Sequence, residues 1–205
     1  MKQLSQMARA LVCTGLVVLS GVAAAQAVVG KPAPPFSGTD VSGKPVSLAD
    51  MKGKYVVLEW TNPECPFVDK HYSSGNMPAV QKRLTDKGVA WVSIQTVGQG
   101  DAERTRGQLP AWQKAKGAAP STTLVDPDGA IARSYQARTT PHMYVIDPQG
   151  MLIYAGAIDS KPTANPADIA TATNYVAQAL DEALGGKPVS QATTRAYGCA
   201  VKYPT

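Results

Sequence analysis

A cysteine stands where a buried strand is expected to turn into a helix. Residues 55–60, Tyr-Val-Val-Leu-Glu-Trp, are mostly apolar and rich in β-formers, which predicts a buried central strand. After four intervening residues comes Cys65-Pro66. Proline suits the first position of a helix, because the hydrogen that it lacks would be left unpaired there anyway. The pattern therefore predicts a strand–turn–helix unit with Cys65 at or next to the helix N-cap.

Strand and helix patterns alternate along the rest of the chain. The sequence predicts helices at 66–73, resuming at 77–87, then at 110–116 and 168–184, a helical turn at 131–136, and strands at 46–48, 89–94, 122–125, 142–146 and 151–155. The last two strands read as a hairpin around the turn at 147–150. This order favours a mostly parallel sheet covered on both faces, with antiparallel strands at one side.

The first 27 residues have the pattern of a secretory signal. A positively charged start is followed by an apolar run at 10–22 and by small residues in A-x-A spacing. We expect cleavage after Ala27, or after Ala25, which leaves one domain over 28–205. The apolar run is short for a membrane span, so no integral membrane segment is expected after processing, and an uncleaved anchor is the alternative. The predicted location is the periplasm or the exterior.

Removal of this signal changes the charge and the cysteine count. The whole chain has a net charge of +5 and 3 cysteines. Loss of Lys2, Arg9 and Cys13 leaves 18 basic and 15 acidic residues, a net charge of +3. We find no Lys/Arg-rich block with interleaved aromatics, so nucleic acid is not an expected partner. The remaining Cys65 and Cys199 can form a disulfide, a redox couple or two free thiols.

The position of Cys65 suits nucleophilic chemistry. The thiolate is the reactive form of cysteine, and the partial positive charge of a helix N-terminus favours it. Glu64 opposes this effect and Lys70 supports it. The alternative is a buried, inert cysteine.

A second feature is the Thr140-Pro141 pair at the start of a predicted strand. Proline cannot donate to a strand ladder, so it normally occupies an edge or a strand start. A cis peptide bond would explain its position. In a fold with this element order, its strand is expected beside the strand that leads to Cys65.

Three motifs in this order resemble the thioredoxin superfamily. They are the segment 60–68, Trp-Thr-Asn-Pro-Glu-Cys-Pro-Phe-Val, the Thr140-Pro141 pair, and the Asp-Pro-Gln-Gly turn at 147–150. More narrowly, they resemble its redoxin or peroxiredoxin-like branch, the alkyl hydroperoxide reductase/thiol-specific antioxidant type. The segments 65–72, 74–77 and 198–203 are similar to secreted bacterial members of that branch. The resemblance covers residues 30–203.

The resemblance implies an α/β thioredoxin fold, a central mixed sheet flanked by helices. It implies an extra helix and strand, at 110–125, between the Cys65 helix and the cis-proline strand. It further implies that Cys65 is a nucleophile and that cis-Pro141 faces it. Substrate backbone would pair beside Thr140, in a groove that also includes Pro66.

The sequence departs from its relatives at several positions. Val68 stands where thioredoxins have the second cysteine of Cys-x-x-Cys, and Asn62 stands where peroxiredoxins have threonine. Arg133 and Arg138 are the candidates for the arginine that polarises a peroxide. Cys199 is the candidate second thiol, either as a resolving cysteine or as a structural partner.

The two histidines are expected to be structural. His71, six residues after Cys65, should point away from it on a helix, towards the surface or a packing contact. His142 should be turned off the Pro141 face by strand alternation, and a position near Cys65 is the alternative. Together with the two cysteines they lack the paired spacing of a metal site, so neither metal nor cofactor is expected.

These features predict a thiol-dependent oxidoreductase. We favour peroxiredoxin-like reduction of a peroxide, because one nucleophile with a distant second cysteine fits that chemistry best. Exchange with a protein thiol or disulfide is the first alternative, and a non-catalytic binding protein on the same fold is the second. Either activity requires an external reductant.

Overall fold

The computed structural model describes residues 26–204, so the predicted signal lies outside the described residues except for its last two positions. The strands and helices in chain order are β1 (Ser37–Thr39), β2 (Pro45–Ser47), β3 (Val56–Trp60), α1 (Pro66–Ser73), α2 (Asn76–Thr85), β4 (Ala90–Thr96), α3 (Ala102–Ala115), β5 (Thr122–Asp126), α4 (Ala130–Tyr135), β6 (Thr139–Thr140), β7 (His142–Ile146), β8 (Leu152–Gly156), α5 (Tyr175–Leu184) and β9 (Cys199–Ala200). None of these helices is both long and apolar enough to cross a membrane.

Five strands form the central sheet in the order β5-β4-β3-β7-β8. The strands β3, β4 and β5 run parallel, whereas β7 is antiparallel to β3 and β8 is antiparallel to β7. The predicted mixed sheet, its terminal hairpin and the pairing of β7 with the strand that leads to Cys65 are confirmed. At the end of β3, Trp60 lies between Ile94 and His142.

The alternation of side chains along β3 gives the sheet two cores. Val56, Leu58 and Trp60 face a core that α4 and the N-terminal segment cover. Val57 and Glu59 face the opposite side, where α1, α2 and α5 pack. Cys65 lies on this second side, because it is the N-cap of α1, which packs there.

Two helices differ from the sequence prediction. The helix expected at 110–116 begins at Ala102, and Pro110 lies inside it, so the proline does not mark its start. The helix expected at 168–184 is divided into a 3-10 helix at Pro166–Thr171 and α5. The division has a local cause, since the Asn174 side chain accepts a hydrogen bond from the backbone N–H of Ala177, at 2.9 Å, and so caps a new helix.

Candidate active site

A disulfide joins Cys65 to Cys199 across 134 positions of sequence, with a Cα–Cα distance of 6.0 Å. Cys65 is the N-cap of α1 and Pro66 occupies the first turn, as predicted. The Cys65 side chain is buried at 1% exposure, whereas Cys199 is half-buried. The second thiol that Val68 does not provide thus comes from the C-terminal tail, here defined as residues 194–204.

The turn before Cys65 is held by Asn62. The Asn62 Oδ1 atom accepts a hydrogen bond from the Glu64 backbone N–H, at 3.0 Å, and its carbonyl accepts one from the Cys65 N–H, also at 3.0 Å. Asn62 therefore shapes the connection between β3 and α1. Its side chain has a structural task at the position where peroxiredoxins have threonine.

The Thr140-Pro141 peptide bond is cis and lies next to Cys65. The Cys65 Sγ atom is 3.0 Å from the Thr140 carbonyl oxygen. The two-residue strands β6 and β9 pair antiparallel, with Thr140 opposite Cys199 and Thr139 opposite Ala200. The tail therefore lies along the backbone that the family resemblance marks as the substrate groove.

Contacts beyond β9 hold the end of the tail. The Val201 N–H donates to the Arg138 carbonyl at 3.0 Å, and the Tyr203 hydroxyl donates to the Ala137 carbonyl at 2.7 Å. Lys202 donates to the Glu64 carboxylate at 2.7 Å on the surface. This hydrogen bond from Lys202 lowers the pKa of Glu64, and the lysine also offsets a negative charge next to Cys65.

A buried charge cluster lies under the other end of the tail. Lys70 Nζ donates to Asp159 Oδ2 at 3.0 Å and to the Lys161 carbonyl at 2.8 Å. The Tyr197 hydroxyl, two residues before Cys199, donates to Asp159 Oδ1. Lys70 and Asp159 are 1% and 3% exposed. We call Lys70, His71, Asp159 and Tyr197 the Asp159 cluster.

His71 completes this cluster and is fully buried, so it serves in packing and not at the surface. Its Nε2 atom is 3.3 Å from the Tyr197 hydroxyl, and its Nδ1 atom is 2.8 Å from Asn76 Nδ2. Burial lowers the pKa of His71 to about 4, and neighbouring Lys70 acts in the same direction, whereas Asp159 opposes it. The ring is therefore neutral at pH 7.

A second buried carboxylate, Glu59 of β3, accepts four hydrogen bonds from side chains of the central fold. The donors are the Tyr72 hydroxyl at 2.7 Å, Trp91 Nε1 at 2.7 Å, Gln81 Nε2 at 3.0 Å and the Ser93 hydroxyl at 3.1 Å. Burial raises the pKa of Glu59, against the effect of these donors. We call these five residues the Glu59 cluster.

The remaining predicted residues lie on the opposite side of the sheet or at the tail. His142 packs against the Tyr144 ring, 4.6 Å between centroids, and lies 3.2 Å from the Arg138 backbone N–H, which donates to its Nδ1 atom. Burial lowers the pKa of His142 to about 4. The Arg133 guanidinium donates to the carbonyls of Asp128 and Pro204. Arg133 is therefore engaged at the end of the tail.

Sequence reasoning missed Asp159 and Tyr197. Nothing in their local pattern marks them, because Asp159 follows a strand and Tyr197 sits in a segment without periodicity. The one available signal is the predicted direction of His71 on α1, which turns its side chain away from Cys65 without assigning it a partner. Within residues 26–204 we find no group of three or more histidine, cysteine, aspartate or glutamate side chains that could hold a metal ion.

The sequence model of the AhpC/TSA family matches residues 29–155. The thiol-disulfide oxidoreductase ResA of Bacillus thuringiensis subsp. konkukian is 28% identical over 125 residues, which cover 61% of this chain and 67% of that protein. The family range includes Cys65 and Pro141, and it ends before Asp159, Tyr197 and Cys199.

Solved structures show the same fold. An uncharacterized conserved protein from Geobacillus kaustophilus matches with a TM-score of 0.71 at 27% identity, covering 86% of this chain and 92% of that chain. The thioredoxin domain of a thiol-disulfide oxidoreductase from Bacteroides vulgatus matches with a TM-score of 0.51 at 23% identity, covering 63% and 89% of the two chains. The fold is a thioredoxin fold, and its paired cysteines support redox chemistry of thiols.

Proposed function

The chain belongs to the AhpC/TSA family, and we propose that it is an extracytoplasmic thiol–disulfide oxidoreductase that uses Cys65 and Cys199 as its redox couple. The observation that carries the proposal is the position of Cys199, which is bonded to Cys65 and paired with Thr140. The predicted signal and the disulfide both fit an oxidising compartment. In this proposal, residues 28–205 act as one domain.

The reduced protein would transfer two electrons to a disulfide. The Cys65 thiolate attacks one sulfur of the substrate, the substrate S–S bond breaks, and a mixed disulfide forms as the first substrate thiolate leaves and takes up a proton. The Cys199 thiolate then attacks the Cys65 sulfur. The second substrate thiol leaves, and the Cys65–Cys199 disulfide forms. An external dithiol protein or small thiol restores the reduced pair.

The surroundings of Cys65 support its role as the attacking thiolate. The N-terminus of α1 favours a negative charge on the sulfur, because the backbone N–H groups of a first turn carry partial positive charge. While the tail is docked, the ion pair between Lys202 and Glu64 reduces the repulsion that a free Glu64 carboxylate would exert. The buried sulfur would be exposed to a substrate only when the tail moves.

Reduction of a peroxide, which the sequence favours, is the second candidate, and membership of the AhpC/TSA family supports it. The Cys65 thiolate would attack a peroxide oxygen, leaving water or an alcohol and a sulfenic acid. Cys199 would then displace water from that sulfur and form the same disulfide. We place disulfide exchange first for two reasons. Asn62, at the position of the peroxiredoxin threonine, holds the turn before Cys65, and Arg133, a candidate for the arginine that polarises a peroxide, is bonded to the end of the tail. A non-catalytic binding protein is the third candidate.

Parallel assays separate these candidates. We expect the wild type, with a thiol reductant, to reduce the disulfide-linked dimer of a peptide copy of residues 196–201 at least about tenfold faster than the reductant alone, and Cys65→Ser to abolish this rate. Cys199→Ser should accumulate a mixed disulfide between the substrate and Cys65, because no second thiol is present to resolve it. Reduction of this peptide disulfide at the background rate, together with peroxide consumption that requires Cys65, would mean that the protein is a peroxidase. Inactivity in both assays would leave a binding protein.

A further inference from the structure

The proposed exchange activity does not define the sequence or the conformation of its substrate. The tail provides evidence on both, because it is bonded to Cys65 and paired with Thr140. Resting on that activity, we propose that residues 197–200 occupy the place of an external substrate strand, and that this substrate is an extended polypeptide with a glycine directly before its reactive cysteine. The tail and the substrate would then exclude each other from one groove.

The first support is the backbone pairing at the disulfide. Strand β9 runs antiparallel to β6, with Cys199 directly opposite Thr140, while its sulfur is bonded to Cys65. A polypeptide substrate in a mixed disulfide likewise has its cysteine bonded to Cys65, and its backbone N–H and C=O groups require hydrogen-bond partners. Since β6 is only two residues long and has β9 as its partner, departure of the tail would expose the paired groups of Thr139 and Thr140 to an added strand.

The second support is the contact between Gly198 and the cis-proline segment. Gly198 has φ +133°, in the region that favours glycine. A Cβ atom placed there would collide with the Thr140 carbonyl oxygen, and it would lie 2.7 Å from the Thr140 carbonyl carbon and 3.3 Å from Pro141 N. The groove therefore leaves room for only a hydrogen atom before the cysteine. A substrate strand with the same register and the same backbone conformation meets the same obstruction.

The third support is the anchor that precedes the glycine. Tyr197 donates to Asp159 and packs its ring against Phe67, 5.8 Å between centroids. When the tail leaves, Asp159 loses this donor but keeps Lys70 at 3.0 Å, so the charge remains paired. Residues 197–200 can therefore leave the groove without leaving the buried Asp159 carboxylate unpaired. Tyr197 can bind Asp159 again when Cys199 resolves the mixed disulfide.

Two peptides test the glycine requirement. Acetyl-Ala-Tyr-Gly-Cys-Ala-Val-amide and its Ala-Cys counterpart are each activated as a disulfide with thionitrobenzoate and added to the reduced Cys199→Ser protein. Release of thionitrobenzoate gives the rate, and mass mapping of the tryptic fragments locates the peptide on Cys65. We expect the Gly-Cys peptide to react at least about tenfold faster, because the clash is specific to the added methyl group. Equal rates would overturn the proposal.

A matched pair of glycine variants tests the competition with the tail. Gly198→Ala, in the Cys199→Ser background, should undock the tail and raise the rate of the Gly-Cys peptide severalfold. Gly186→Ala is the control, since Gly186 also has a positive φ, +69°, but has open space around its Cβ position. If both variants react like the parent, the tail does not compete.

A small reagent keeps this proposal separate from the activity on which it rests. Ellman's reagent has no backbone to pair with β6, so we expect it to modify Cys65 regardless of the glycine. Reaction of Cys65 with this reagent but equal rates with both peptides would refute the glycine rule and leave the exchange activity standing. If Cys65 reacts with neither the reagent nor the peptides, the proposed function itself is wrong.

Discussion

Glu59 and Asp159 are both buried carboxylates, but their partners come from different parts of the chain. The donors to Glu59 lie on α1, α2 and β4, which are parts of the central fold. Asp159 is held by Lys70 of α1 and by Tyr197 of the tail. The Glu59 cluster is therefore complete without the tail, whereas the Asp159 cluster is complete only when the tail is docked.

This difference assigns the two clusters to different tasks. A carboxylate surrounded by four neutral donors fixes the spacing of the elements that carry them. A carboxylate that takes one of its donors from the tail links the tail to the core. Substitutions in the two clusters and a change of pH test whether the clusters differ in this way.

The largest effect is expected from Lys70→Met. Removal of the ammonium group leaves the Asp159 charge buried without its cation, and such losses typically cost about 3–5 kcal/mol of unfolding free energy. Chemical denaturation of the oxidised protein measures this loss. Lys82→Met is the control, because the exposed Lys82–Asp86 pair should contribute at most about 1 kcal/mol. A loss from Lys70→Met no greater than the control's would mean that the Asp159 cluster does not stabilise the fold.

Acid is expected to act in opposite directions on the two clusters. His71 has a pKa of about 4 in the folded protein, below its usual value of 6.5. Between pH 6.5 and pH 4, the unfolded chain binds a proton at this residue that the folded protein does not. The unfolding free energy therefore falls by about 3 kcal/mol over this range, and this residue causes no further loss below pH 4. His142 adds a similar loss. The raised pKa of Glu59 works the other way, because the folded protein then binds the proton first.

Unfolding free energies between pH 7 and pH 4 measure these losses. The slope of unfolding free energy against pH reports how many more protons the unfolded chain binds than the folded protein. His71→Gln and His142→Gln should each reduce this difference by about one proton, and Glu59→Gln should increase it. An unchanged slope in both histidine variants would show that these rings do not control the acid sensitivity.

The smallest effects, and the sharpest comparison, come from two tyrosines. Tyr72→Phe and Tyr197→Phe each remove one hydroxyl that donates to a buried carboxylate. We expect losses of about 1–3 kcal/mol in the oxidised protein, smaller at the more exposed Tyr197. In the reduced protein the Tyr72→Phe loss should persist, whereas the Tyr197→Phe loss should fall towards zero. Denaturation of each variant with and without a thiol reductant makes the comparison, and parallel behaviour of the two tyrosines would contradict it.

The sequence predicts the parts of the site that local rules control. Pro66 indicates the helix start, so Cys65 is found at its N-cap, and the turn chemistry indicates the hairpin of β7 and β8. The local rules fail at Pro110, because they predict a helix start at this proline and the structure has it in the interior of α3. There the buried residues Leu109 and Gln113 stabilise the helix by packing.

The parts that the sequence does not predict depend on distant contacts. Asp159 meets Lys70 across 89 positions and Tyr197 across 38. A two-residue strand such as β9 has no periodicity to detect, so its pairing with β6 follows only from tertiary packing. For the same reason the sequence left open whether Cys65 and Cys199 meet.

The length of the loop that the disulfide closes has a consequence for the order of events in the cell. Cys65 leaves the ribosome, and any export channel, 134 residues before Cys199. The intervening chain contains the helices α1 to α5 and the strands β4 to β8. Until that chain has emerged, Cys65 is a single thiol that any passing oxidant or thiol can engage. The native disulfide therefore marks a molecule whose synthesis has passed through the whole central fold.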